Sequence, residues 1–182
     1  MRSKLVVVSG PSGVGKSTIV KQIQSIAPDI WISVSMTTRL QRPGEVDARE
    51  YYFVSRQDFE SSIQRGDMLE WAEFAGNLYG TPRQPVLDQL EQGNPVLLEI
   101  ELQGARQVRD NYPEAHLAFI KPPTWDDLVH RLIGRGSEDE ATIERRLEAA
   151  KTEILSADEF DIVLVNHSVE KTALELVEFA RS

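Results

Sequence analysis

The sequence predicts an α/β fold, a parallel sheet covered by helices on both faces. Three observations carry that reading. Short β-branched apolar runs alternate with amphipathic stretches along most of the 182 residues. The runs are mostly apolar, as strands buried on both faces are. The first of them passes through a glycine-rich loop straight into a helical pattern, the start of a right-handed crossover.

Lys4–Ser9 is the first strand, and Gly10-Pro11-Ser12-Gly13-Val14-Gly15-Lys16-Ser17 follows it as a full match to G-x-x-x-x-G-K-[ST]. Ile19, Val20, Ile23 and Ile26 then stripe a helix. In this context the glycines let successive N–H groups turn inward on phosphate oxygens, and the helix N-terminus adds partial positive charge. Lys16 reaches β- and γ-phosphates, and the Ser17 hydroxyl is placed to ligate Mg²⁺. Residues 10 to 18, ending in Thr18, therefore form a nucleotide-phosphate site.

Ile30–Ser35 reads as the second strand, and Met36–Glu45, with its Pro-Gly pair, as a loop. Tyr51–Val54 is a short strand and Gln57–Arg65 a helix stopped by Gly66. Leu69–Phe74 alternates apolar and acidic residues, as a half-buried strand does, and by that pattern alone Glu70 would face water. Gly76–Pro82 reads as a turn ahead of the next helix. Val96–Leu102 is a third core strand, with Glu99 and Glu101 on one face. A helix over Ala105–Asn111 and a fourth core strand over His116–Ile120 follow. Trp125–Arg135 is helical up to Gly136, and Ile143, Leu147, Ala150 and Ile154 stripe a longer helix. Ile162–Val165 is the last strand and Val169–Arg181 the closing helix.

Composition narrows the function classes. The absence of cysteine excludes disulfides, thiol catalysis and zinc–thiolate sites. No apolar run approaches the ~20 residues of a membrane span, and no signal-peptide core is evident, so a cytoplasmic protein without membrane association is expected. A net charge of −9 argues against nucleic-acid binding. Against that acidic background Lys16, Arg39, Arg42, Arg131, Arg135, Arg145 and Arg146 fall in or near phosphate-handling segments, as binding of a small polyanion requires. His116, His130 and His167 show no ligand spacing and read as structural, and Trp31, Trp71 and Trp125 as packing residues.

Together, Ser9–Thr18, Ser33–Arg39, Arg42–Glu45, Tyr51, Glu70-Trp71, Tyr79–Thr81 and Arg131–Gly136 resemble a guanylate kinase over nearly the whole chain. The resemblance implies a P-loop kinase core (about 1–34, 84–124 and 151–182) with an inserted arm for the nucleoside monophosphate (about 35–83) and a helical lid (about 125–150). It implies reversible, Mg²⁺-dependent phosphoryl transfer from ATP to GMP or dGMP, giving ADP and the diphosphate. Residues matching the family's acceptor-phosphate grip are Arg39 and Arg42, with Tyr51 and Tyr79. Those matching its guanine readers are Glu70 and Glu101, with Ser35 and Thr81. Arg131, Arg135 and Arg146 match arginines on the transferring phosphoryl group, whereas Arg145 reads as surface. Glu99 sits where such proteins place an acid near Mg²⁺. Many members carry Asp where Glu101 stands. Two other classes stay open at this point: a catalytically silent protein-binding relative, which Lys16 and Ser17 speak against, and a kinase of a phosphorylated sugar, which Glu70, Thr81 and Glu101 speak against.

Overall fold

A computed structural model describes residues 4–133 and 140–182. Its centre is a five-stranded parallel sheet in the order β2-β7-β1-β8-β9, formed by Trp31–Ile32 (β2), Val96–Glu99 (β7), Leu5–Ser9 (β1), His116–Lys121 (β8) and Ile162–Val165 (β9). Both faces are covered, as the apolar runs require. Val6 and Val8 face a cluster with Ile19, Val20 and Ile23 of α1 (Lys16–Ile26) and with Ala173, Leu176 and Val177 of α7 (Val169–Arg181). Leu5 and Val7 face Ala105 and Val108 of α4 (Leu102–Asn111) and Val86 of α3 (Arg83–Glu91). Each valine, leucine or isoleucine so removed from water contributes roughly 1.5–3 kcal/mol. Ile26 does not complete its stripe and is 41% exposed.

A second, four-stranded sheet lies within residues 36–82, in the order β4-β3-β6-β5: Tyr52–Phe53 (β4), Met36–Thr37 (β3), Asn77–Pro82 (β6) and Met68–Phe74 (β5). Helix α2 (Arg56–Gln64) closes it with a small core of Phe59, Met68 and Leu78. Ser55 caps α2 by accepting the Asp58 N–H at 3.1 Å. Helices α5 (Trp125–Ile133) and α6 (Glu140–Leu155) follow β8, and Leu132, Leu147, Ala150 and Ile154 pack against the α1 side of the core. No helix among the described residues is long and apolar enough to cross a membrane.

Three expectations need correction. Gly76–Pro82 is not a turn: Ala75 and Gly76, with φ of 49° and 78°, make a two-residue turn, and Asn77 onward returns as β6 against β5. Positive φ at both central residues is the hairpin geometry whose twist matches the strands it joins. The expected strand Ile30–Ser35 ends at Ile32, because Met36 and Thr37 leave to pair in the second sheet. The expected strand Val96–Leu102 ends at Glu99, where β1 ends beside it, and Glu101 becomes the N-cap residue of α4.

Candidate active site

Ligands in open parallel sheets bind beyond the strand C-termini where neighbouring crossovers diverge. Here β1 lies between β7 and β8, and the glycine loop fills that point. Gly10 (φ 148°) backs onto the main chain of Ile120, where a Cβ would collide with the carbonyl. Gly15 (φ 104°) is the N-cap of α1, and a Cβ there would sit 2.9 Å from Asn166 Nδ2. Glycine at both positions lets the loop lie flat against the sheet edge.

The loop's side chains are already engaged. Lys16 donates to the carbonyls of Gly10 and, at 3.2 Å, Pro11. Burial pulls the Lys16 ammonium below its usual pKa, against the opposing pull of Glu99, Glu153 and Glu101. Ser17 donates to Glu99 Oε1 at 2.6 Å, so the two oxygens expected near Mg²⁺ are in contact. Arg131 Nη1 and Asn166 Nδ2 converge on the Val14 carbonyl at 3.0 and 2.9 Å. Arg146 Nη2 reaches the Ser12 hydroxyl at 2.6 Å. Arg145 instead bonds Ala141 and Thr142 of its own helix and is exposed, as expected of a surface residue. Arg135, the remaining predicted lid arginine, lies outside the described residues.

On the other side of Glu99 a cleft of about 360 Å³ is lined by Ser35, Tyr51, Glu70, Tyr79, Glu99 and Glu101 together with Gln103 and Gly104. Six of the predicted residues thus meet in one cavity although they span residues 35 to 101 of the chain. Glu70 is only 7% exposed and accepts the Thr81 hydroxyl at 2.6 Å. Burial raises its pKa above the ordinary carboxylate value, with Glu101 adding to the rise and Thr81 opposing it. The alternating pattern taken alone would leave Glu70 on the wet side, and a β-bulge is the reason it is buried instead. Met68 pairs with Pro82 and Glu70 with Thr81, two residues on β5 against one on β6. The extra residue, Leu69, packs in the core, and Glu70 turns into the cleft.

Arg39 sits at the cleft's rim, its guanidinium 5.4 Å from the Tyr51 ring and paired with Glu45. Tyr51 and Tyr79 meet edge to face, 6.1 Å between centroids. Arg42 is exposed on the same loop and gives its main-chain N–H to Glu45. A separate cleft of about 500 Å³, lined by Gly13, Gly15, Thr18, Arg131, Asn166, His167 and Val169, opens on the far side of the loop.

Sequence reasoning missed Asn166, which is 3% exposed, and Glu153, which faces Lys16 and the Ser12 N–H from α6. A signal existed for Asn166, since it directly follows the last parallel strand, where ligands gather. Glu153 had none, being one polar residue in a charge-rich helix.

The model of the guanylate kinase family matches residues 2–182. The chain belongs to the guanylate kinase family. It is 57% identical to the guanylate kinase of Streptomyces kasugaensis and 58% identical to that of Streptomyces coelicolor. Each comparison covers 97% of this chain, with 86% and 89% of those relatives. The crystal structure of guanylate kinase from Anaplasma phagocytophilum matches with a TM-score of 0.75 at 33% identity, over 98% of this chain and 85% of that one. The chain is a nucleoside monophosphate kinase, an ATP:GMP phosphotransferase.

Proposed function

We propose that this guanylate kinase binds GMP in the cleft around Glu70 and ATP along the glycine loop, with the acceptor phosphate meeting the γ-phosphoryl group near Lys16. The observation that carries the assignment is the convergence of Glu70, Glu101, Ser35, Thr81, Tyr51 and Tyr79 beside Glu99, one residue away from the phosphate loop by the Ser17 bond. Guanine offers N1–H and N2–H₂ side by side, and carboxylates accept both, while hydroxyls donate to O6. Adenine presents an acceptor at N1 and would leave a buried carboxylate unpaired, which rejects a wrong base strongly.

Positioning and charge neutralisation supply most of phosphoryl-transfer catalysis. Arg39 and Arg42, aided by Tyr51 and Tyr79, grip the acceptor phosphate with forked donors. The loop from Gly10 to Thr18 cradles the ATP phosphates, and Lys16, Arg131, Arg135 and Arg146 balance charge on the group in flight. The Ser17 hydroxyl and Glu99 carboxylate, in contact at 2.6 Å, are the oxygens that would hold Mg²⁺, which would supply neutralisation of phosphate charge there. The arm (about 35–83) and lid (about 125–150) carry the arginines toward one another and exclude water on closing. Calorimetric titration tests the base assignment: GMP binds to the protein, and AMP at the same concentrations does not. AMP binding as tight as GMP would refute it.

A further inference from the structure

Helix α4 presents one face to the bulged strand that carries Glu70. Gly104, Gln107 and Asn111 recur at helical spacing, and all three meet β5 or Glu70 itself. Gln107 brackets a single residue: its Oε1 accepts the Trp71 N–H at 3.1 Å and its Nε2 donates to the Trp71 carbonyl at 3.0 Å. Asn111 Nδ2 donates to the Leu69 carbonyl at 2.8 Å. β5 is the edge of its sheet, so these main-chain groups have no strand beside them, and two side-chain amides stand in for one. The residues they hold, Leu69 and Trp71, flank Glu70. At Gly104 the helix surface leaves room, since a Cβ there would lie 3.0 Å from Glu70 Oε2.

A bulge is held only by the partners that define it, and a slip of one residue sends every following side chain to the opposite face. In β5 such a slip returns Glu70 to the solvent side that its alternating sequence favours. We infer that Gln107 and Asn111 are positioning residues for nucleobase selection, holding the β5 bulge in the register that aims Glu70 into the acceptor cleft. They touch no substrate and act through Glu70. The inference rests on the reading of Glu70 as a guanine acceptor.

The test compares kcat/KM for GMP with that for inosine monophosphate, which keeps N1–H and O6 but lacks the 2-amino group. Gln107→Leu removes both bonds. It is expected to lower kcat/KM for GMP about tenfold, the scale for a displaced reading group, to narrow the GMP-to-inosine ratio, and to leave KM for ATP unchanged. Gln107→Glu still accepts from Trp71 but no longer donates, and falls between Leu and the parent; it decides the matter if Gln107→Leu does not fold. Equal losses on both nucleotides, or no loss, would overturn the inference, because a purely structural clamp does not distinguish bases. Glu70→Gln separates the two levels. If it leaves the ratio unchanged, the reading of Glu70 fails; if it narrows the ratio while the Gln107 variants do not, the positioning role alone fails.

Discussion

Arg39 and Glu45 are paired through both ends of both groups: Nη1 lies 3.0 Å from Oε2 and Nη2 2.8 Å from Oε1. Glu45 also accepts the Arg42 N–H at 2.8 Å, so one carboxylate closes the loop that carries both arginines proposed to grip the acceptor phosphate. The pair holds Glu45 below the ordinary carboxylate pKa and leaves the fork lying near Tyr51 and Phe53. Removing Glu45 therefore frees Arg39 to sample other rotamers before substrate arrives. Glu45→Ala should raise KM for GMP several-fold, with a smaller change in kcat and none in KM for ATP. An unchanged KM for GMP in Glu45→Ala alongside a raised one in Arg39→Ala would show that Arg39 needs no such support.

Glu70 gives a pH signature. Burial raises its pKa, with Glu101 adding, so on acidification the carboxylate proposed to accept guanine is lost above the range of an ordinary glutamate, ~4.3. The acid limb of kcat/KM for GMP should therefore carry a component that Glu70→Gln abolishes, while the limb from the substrate's own phosphate, near pH ~6, stays in both proteins. Stability follows the same sign. A carboxyl whose pKa is raised by folding favours the folded state below its unfolded pKa, and that contribution is lost as pH rises through the folded value. Glu70→Gln should accordingly raise Tm more at pH 7 than at pH 4. A Tm difference independent of pH would count against a perturbed Glu70.

Lys16 is half-buried and donates to the Pro11 carbonyl of its own loop; the proposed mechanism has it turn from there to the β- and γ-phosphates. Lys16→Met should cut kcat by at least about a hundredfold with circular dichroism unchanged. Appreciable turnover in a folded Lys16→Met protein would remove Lys16 from the mechanism.

Glu101 lines the acceptor cleft beside Glu70. As the α4 N-cap residue it makes no side-chain bond to its own helix, which leaves the carboxylate for the cleft. Glu101→Asp should be mild, since both acceptor oxygens survive. Glu101→Ala should lower kcat/KM for GMP roughly 10- to 150-fold, the scale of a lost charged partner. Unchanged GMP kinetics in Glu101→Ala would leave Glu70 as the sole carboxylate reading the base.

The parallel core was legible because its strands are short apolar runs alternating with helical stripes, and its last helix, Val169–Arg181, follows a serine cap. The phosphate loop was legible because a local motif does a local task. Glu70 was misjudged from periodicity alone, since a bulge breaks the period-two pattern without leaving a mark in the sequence. Gly80 and Pro82 read as breakers in β6, yet each is tolerated by its neighbours there: Gly80 lies against the Glu70 carbonyl, and Pro82 ends the strand. The contacts of Gln107 with Trp71 and of Glu153 with the loop join residues tens of positions apart, and no spacing rule reaches that far.

The central claim is that this chain phosphorylates GMP from ATP and selects guanine through a buried carboxylate. Its most direct test is one steady-state experiment in which the purified protein, ATP and Mg²⁺ are supplied in turn with GMP, AMP and UMP, and both products are separated and counted. The account predicts GDP and ADP in equal amounts with GMP, and no diphosphate above background with AMP or UMP. Comparable turnover of AMP, or ADP release without GDP, would contradict it.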